Sequence, residues 1–233
     1  MSLVLVDSLS KPDLLAMAGR RWDAIRHTRP ELAAAVDLQE RLLSIVIDTA
    51  QTIGRLPLPK LSLPPRYLAA KLSRGVPILS GEPIPLPVRV LQASFLQLCD
   101  ALAEGGAGEP AGHVKIAVES ASMDAGSLLT ASLGRDQQAV RNGAAHHGLA
   151  PDLVWLLGEL ATSPFAHTLQ HALLASSTSD ELVAARDSWN HGYCLACGSW
   201  PALAECCEGR RVLRCSFCAA GWELDSYSCI YCG

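Results

Sequence analysis

The residues Cys194-Leu195-Ala196-Cys197-Gly198, followed after sixteen others by Cys215-Ser216-Phe217-Cys218, decide the reading of this chain. Two CxxC pairs at that separation are the pattern of a four-thiolate metal site, with Cys194, Cys197, Cys215 and Cys218 as ligands. Each pair predicts a tight knuckle whose backbone amides point at the sulfurs, and Gly198 permits the turn that closes the first one. Between the pairs, residues 202–206 and 210–214 read as a hairpin across Glu208-Gly209. A module of about forty residues has little core of its own, so a bound ion is expected to supply much of its stability. Four thiolates in a tetrahedron suit zinc and iron alike.

Working outward, the cysteines divide the chain. Of nine, only Cys99 precedes Cys194. A boundary is therefore expected near residue 190, with a helical domain over 1–189 and a cysteine-rich ribbon over 190–233. Cys206 and Cys207 are adjacent on a predicted strand, so their side chains face opposite ways and cannot both join the site; they read as non-ligands. Cys99 falls on the apolar stripe of a helix and reads as a core residue. Cys229 and Cys232 form half of a second site. Two thiolates do not saturate a tetrahedral ion, so its other ligands are missing, borrowed or supplied by another chain, the last of which implies a homodimer.

The larger domain is expected to be all α. Thr28-Arg29-Pro30-Glu31 has capping-box spacing, and Leu32, Val36, Leu43, Val46, Ala50 and Ile53 follow a helical period up to Gly54. Eight of the fourteen prolines lie from Pro57 to Pro87. They forbid long helices, and the stretch 54–87 reads as an ordered wrap over a helical core, with one short helix over 66–72. A helix over 88–104 carries Leu91, Phe95, Leu98 and Leu102 on one stripe and is broken by the glycines at 105, 106 and 108. Two packed helices are expected over 113–147, then two more over 151–161 and 164–174, the second capped by Ser163 with Pro164 in its first turn.

The net charge of −4 and the absence of a basic cluster beside aromatics argue against gripping nucleic acid; a zinc-ribbon nucleic-acid-binding or transcription-related protein is the alternative reading. No stretch reaches the length and apolarity of a membrane span, and no signal peptide is evident. Reduced cysteines then point to the cytoplasm. A thioredoxin-type reading of CxxC lacks the βαβ setting that chemistry needs. His167 and His171 share a helix face, but Thr168 stands where HExxH would require a glutamate, so they read as surface or packing residues. His146 and His147 read as a helix end.

Cys194-x-x-Cys197-Gly198-Ser199-x-Pro201, Arg211-x-Leu213-x-Cys215-x-x-Cys218, Trp222 and Cys229-x-x-Cys232-Gly233 together resemble the C-terminal signature of the formate dehydrogenase accessory protein family, FdhE. The stretch 21–51 is weakly similar as well. The chain differs from that pattern at Leu195, usually proline, and at Asp225 and Ser226, where a basic residue is usual. It stops before a fourth CxxC, as a C-terminally short or truncated member would. The resemblance implies a helical domain followed by rubredoxin-like knuckles. It also implies a cytoplasmic, non-catalytic protein that contacts the catalytic subunit of molybdenum-dependent formate dehydrogenase during its maturation.

One four-cysteine set is complete in the sequence, so the purified protein should carry close to one tightly held ion per chain. Elemental analysis checks this, and Cys194→Ser or Cys215→Ser should abolish the content.

Overall fold

A computed structural model of the chain describes residues 10–59, 61, 63–175, 179–207, 209–224 and 229–231. It is mainly helical with one small C-terminal sheet, as the sequence predicts. The described residues fall into two compact units: one comprises residues up to Leu56 together with Leu86–Pro164, the other Pro57–Pro85 together with residues from Phe165 onward. Spatial contact therefore groups the ribbon with the proline-rich stretch and with the end of the helical region, and the boundary does not follow chain order.

In the first unit, α1 (Lys11–Thr28) precedes a 3-10 turn at Pro30–Leu32 and α2 (Ala33–Gly54). Helix α1 is not among the helices the sequence predicts, although Ser10 caps it by accepting from the Asp13 amide and a proline stands in its first turn. No α1 residue is buried. It is tied to α2 by Arg26, whose guanidinium reaches Asp37 at 2.7 Å and Glu40 at 2.6 Å. The capping-box expectation fails here. The Thr28 hydroxyl donates backward to the Ala24 carbonyl at 2.8 Å, closing α1 instead of opening α2. The buried face of α2 is also rotated from the expected stripe: Val36, Leu42, Thr49 and Ile53 face inward, while Leu32 is 45% exposed. Thr49 is accommodated by donating its one hydroxyl proton to Ile45 O and accepting from the Ser94 hydroxyl on α4, both at 2.8 Å.

Helix α4 (Val88–Leu102) buries Leu91, Phe95, Leu98 and Leu102 as expected. A π-type turn at Ala103–Ala107 follows, and Gly106 at φ +119° breaks the helical path there. The region expected to hold two helices holds three, α5 (Gly108–Glu119), α6 (Ala125–Leu133) and α7 (Gln137–His146). Asp124 and Asp136 each cap a helix start by accepting from the amide three residues on, Ser127 at 2.7 Å and Ala139 at 2.9 Å. Those two caps are what divide the segment.

The two helices expected over 151–174 are one, α8 (Pro151–Gln170), continued by a π-type turn at His171–Ala175. Pro164 lies inside it. Its missing amide costs one hydrogen bond, but Ala161, Thr162, Phe165 and Ala166 are all buried around it, and packing on both sides outweighs the lost bond. Ser163 consequently caps nothing.

The second unit contains α3 (Pro65–Leu72), α9 (Asp180–Asp187), against which α3 packs, and an antiparallel sheet of β1 (Pro201–Cys207), β2 (Arg210–Cys215) and β3 (Gly221–Glu223) in that order. The predicted hairpin is present, with Ala204 opposite Leu213 and Cys206 opposite Arg211. Strand β3 and helix α9 had not been expected; three and eight residues are too few for a period to show. The proline-rich stretch expected as a wrap falls, from Pro57 to Pro85, in the same unit as the ribbon. It lies against the ribbon, with Ile78 and Leu79 buried at 0% and 4% exposure. Within the stretch Lys71 and Glu82, 9% and 10% exposed, form an ion pair of 2.5 Å. Burial opposes the charge on Glu82, but hydrogen bonds from Lys71 and Tyr67 outweigh it and hold the carboxyl below its ordinary pKa. The stability it contributes is present above the usual carboxylate range and is lost as the pH falls through that lowered value.

Helices α6 and α8 approach closely where Ser132, fully buried, meets Gly158. A Cβ on Gly158 would fall inside van der Waals contact of Ser132 Oγ, and that hydroxyl has no hydrogen-bond partner. Gly158→Ala should destabilise the protein by about 1–3 kcal/mol through overpacking. Ser132→Ala should be close to neutral alone, because the lost hydroxyl was unsatisfied, and should recover part of the Gly158→Ala loss. Denaturant melts of the two single variants and the double variant check both statements.

Candidate metal centre

Cys194 and Cys197 precede β1, Cys215 ends β2, and Cys218 lies in the turn between β2 and β3. Their four sulfurs lie within 4.8 Å of one another and all four residues are buried. Cys194 Sγ and Cys218 Sγ are 3.5 Å apart, as are Cys197 Sγ and Cys215 Sγ. A tetrahedral ion with metal–sulfur bonds of about 2.3 Å needs sulfurs about 3.8 Å apart, so the cluster can hold a metal ion with small adjustments. Among the described residues it is the one such group of three or more donors.

The knuckles are built by local backbone bonds. Gly198 N–H donates to Cys194 O and Cys194 N–H to Ser199 O, both at 2.9 Å, while Cys215 N–H donates to Ala220 O at 2.9 Å. Amides of Ala196 and of Phe217 and Cys218 point at Cys194 Sγ and Cys215 Sγ at 3.3–3.4 Å, delivering partial positive charge to atoms that become thiolates. The residue after each pair is left-handed: Gly198 at φ +81° and Ala219 at φ +59°. Gly198 was legible in the sequence. Ala219, which fills the same role with a Cβ in the way, was not.

Burial, with the hydrogen bonds of Cys197 and Cys215, pushes the Cys194 thiol above its ordinary pKa, and hydrogen bonding among the sulfurs pushes Cys218 up. Cys197, accepting from Cys194, Cys215 and Cys218, is pushed down. Without a cation, Cys194 and Cys218 hold their protons; a divalent ion displaces them, so its affinity weakens as the pH falls.

The other sequence-predicted residues sort clearly. Cys206 is exposed and Cys207 half-buried, and neither joins the cluster. Cys99 is buried, and burial with the charge of Asp100 pushes its thiol up to about 12, where it is a poor nucleophile. His167 does not present its ring to a metal. Its Nδ1 lies 3.2 Å from the carbonyl of Cys218, an acceptor, so that nitrogen carries the proton and braces the second knuckle. His171 is exposed and outside the cluster. Of the terminal pair, Cys229 is exposed and accepts from the Tyr231 amide at 3.4 Å, a knuckle contact; Cys232 lies outside the described residues. Gly192 lies against this knuckle so closely that a Cβ would collide with the Ile230 backbone.

Ala219→Gly should raise the stability of the metal-loaded protein by about 1 kcal/mol by relieving the left-handed strain. Gly198→Ala should lower it by at least as much, since its Cβ would also stand 3.3 Å from Pro77 Cγ. Thermal melts with and without chelator test the pair. No family model matches the chain, and neither a curated protein nor a solved structure is similar enough to identify a relative.

Proposed function

We propose that this protein is a cytoplasmic accessory factor for the maturation of molybdenum-dependent formate dehydrogenase. It binds the catalytic subunit and has no turnover of its own. The observation that carries the non-catalytic part is the closure of the four-cysteine site. Cys194, Cys197, Cys215 and Cys218 are 0%, 4%, 6% and 0% exposed, and four protein ligands fill a tetrahedral ion, whereas a catalytic zinc keeps one position for water or substrate. The bound ion, zinc or iron, is then a structural staple of rubredoxin-like or zinc-ribbon type. A cavity of about 380 Å³ lined by Asp37, Arg41 and Glu104 among others brings together no nucleophile with a base; Arg41 ion-pairs with Glu104 there.

The partner assignment rests on the resemblance of the segment from Cys194 to Gly233 to the formate dehydrogenase accessory proteins. No helix among the described residues is long and apolar enough to cross a membrane, in keeping with a factor that meets its client before export or assembly. Deletion of the gene should lower formate dehydrogenase activity while leaving its transcript unchanged, and the full-length protein should retain the catalytic subunit in a pull-down that Cys194→Ser weakens. Normal activity in the deletion strain would remove the reading.

A further inference from the structure

The first knuckle has a neighbour from far away in sequence. Ile78 N–H donates to Leu195 O at 3.0 Å and Leu79 N–H to Ala196 O at 2.9 Å. Those carbonyls belong to the two residues between the ligands Cys194 and Cys197. Beside them the Tyr193 hydroxyl donates to Gly75 O at 2.8 Å, and Gly198 faces Pro77. The stretch 75–79 thus runs along the outside of the knuckle and satisfies backbone acceptors that burial would otherwise leave unpaired.

That stretch is itself held by one side chain. The Lys71 ammonium donates to Ile78 O at 3.0 Å, to Ser80 O at 2.6 Å and to Glu82 Oε1 at 2.5 Å, which uses all three of its protons. Glu82 also accepts from the Tyr67 hydroxyl at 2.7 Å. The backbone joins in, with Val76 N–H donating to Lys71 O at 2.9 Å. A buried ion pair is a poor source of net stability, since desolvation offsets its attraction. What Lys71 supplies here is directional: one cation fixes two carbonyls and a carboxylate, and so fixes where the amides of Ile78 and Leu79 point.

We propose that Lys71 and Glu82 are positioning residues of the metal centre, acting through the 75–82 segment, which serves as an outer wall of the first knuckle. Coupling of this kind is reciprocal. The wall holds the carbonyls of Leu195 and Ala196 in the conformation that aims the sulfurs of Cys194 and Cys197 at the ion. The ion, by fixing the knuckle, keeps the amides of Ile78 and Leu79 paired. The inference goes beyond the accessory-factor reading and does not depend on it.

The test uses the full-length protein loaded with Zn(II). Release of Zn(II) to a chromophoric chelator under native conditions should show an affinity lowered roughly 10–100-fold in Lys71→Met and in Glu82→Gln, the range typical of groups that support metal ligands indirectly. Co(II)-substituted Lys71→Met should show altered thiolate-to-metal absorption. Leu182→Ala, which truncates a buried side chain of α9 in the same unit, gives the baseline for general destabilisation. In the wild-type protein, amide exchange at Ile78 and Leu79 should be slow with Zn(II) and fast after chelation, while Leu68 and Ala69 in α3 stay protected; this readout stands even where a variant does not fold. The proposal is overturned by Zn(II) release as fast in Leu182→Ala as in Lys71→Met. It is equally overturned by protection of Ile78 and Leu79 that survives removal of the metal.

Discussion

Four sulfur atoms withdrawn from water and placed within 4.8 Å of one another cannot all carry charge unless a cation sits among them. The second unit is arranged around that constraint. Amides of Ala196, Phe217 and Cys218 are spent on sulfur, two residues accept a left-handed backbone, and the β1–β2 hairpin sets the separation of the pairs. The ribbon also has a core of its own. Leu195, Val212, Leu213, Phe217 and Trp222 are buried, each side chain worth about 1.5–3 kcal/mol on transfer from water. The indole of Trp222 donates to His191 O at 3.0 Å, and that of Trp189 to Tyr193 O at 3.0 Å. These ties anchor the chain entering the first knuckle, upstream of any metal ligand.

What the sequence made legible was local. CxxC spacing, Gly198 and the hairpin across Glu208-Gly209 each depend on a few neighbouring residues, and the helix at Val88–Leu102 announces its stripe within fifteen residues. What it hid depended on distant partners. Pro164 reads as a helix start until Phe165 and Ala166 are seen to be buried beyond it. Thr28 reads as a cap because the acceptor it uses, Ala24 O, lies on a helix with no buried face to reveal it. Leu42 and Thr49 replace Leu43 and Ala50 on the inner face of α2 because α4 supplies a serine hydroxyl for Thr49 to meet. The four cysteines that cluster were readable from the chain; the stretch beside them was not, because Ile78 pairs with Leu195 through a main-chain bond that no side-chain pattern encodes.

The same contrast separates the two units. In the first, α4 carries a long apolar face and α6 and α7 start at the aspartate caps Asp124 and Asp136. The second unit gathers short elements, α3, α9 and three strands, none long enough to be stable singly. They are held by ties of different kinds: a buried ion pair at Lys71 and Glu82, tryptophan-to-carbonyl bonds, and the four-cysteine cluster. A small unit with a limited core needs staples of this sort, and here they are distributed over the whole of it instead of being confined to the cysteines.

The pairing of Ile78 with Leu195 has a consequence for how the chain is made. At translation rates of about 5–20 residues per second, the partner of Ile78 is synthesised roughly 6–23 s after it. Through that interval the apolar side chains of Ile78 and Leu79 and the charged pair below them have no knuckle to cover. The helices from Val88 onward can collapse as they emerge, whereas the earlier proline-rich stretch must wait. Its prolines suit that wait, since they keep the nascent segment from entering a stable helix or an extended sheet before the last cysteines appear.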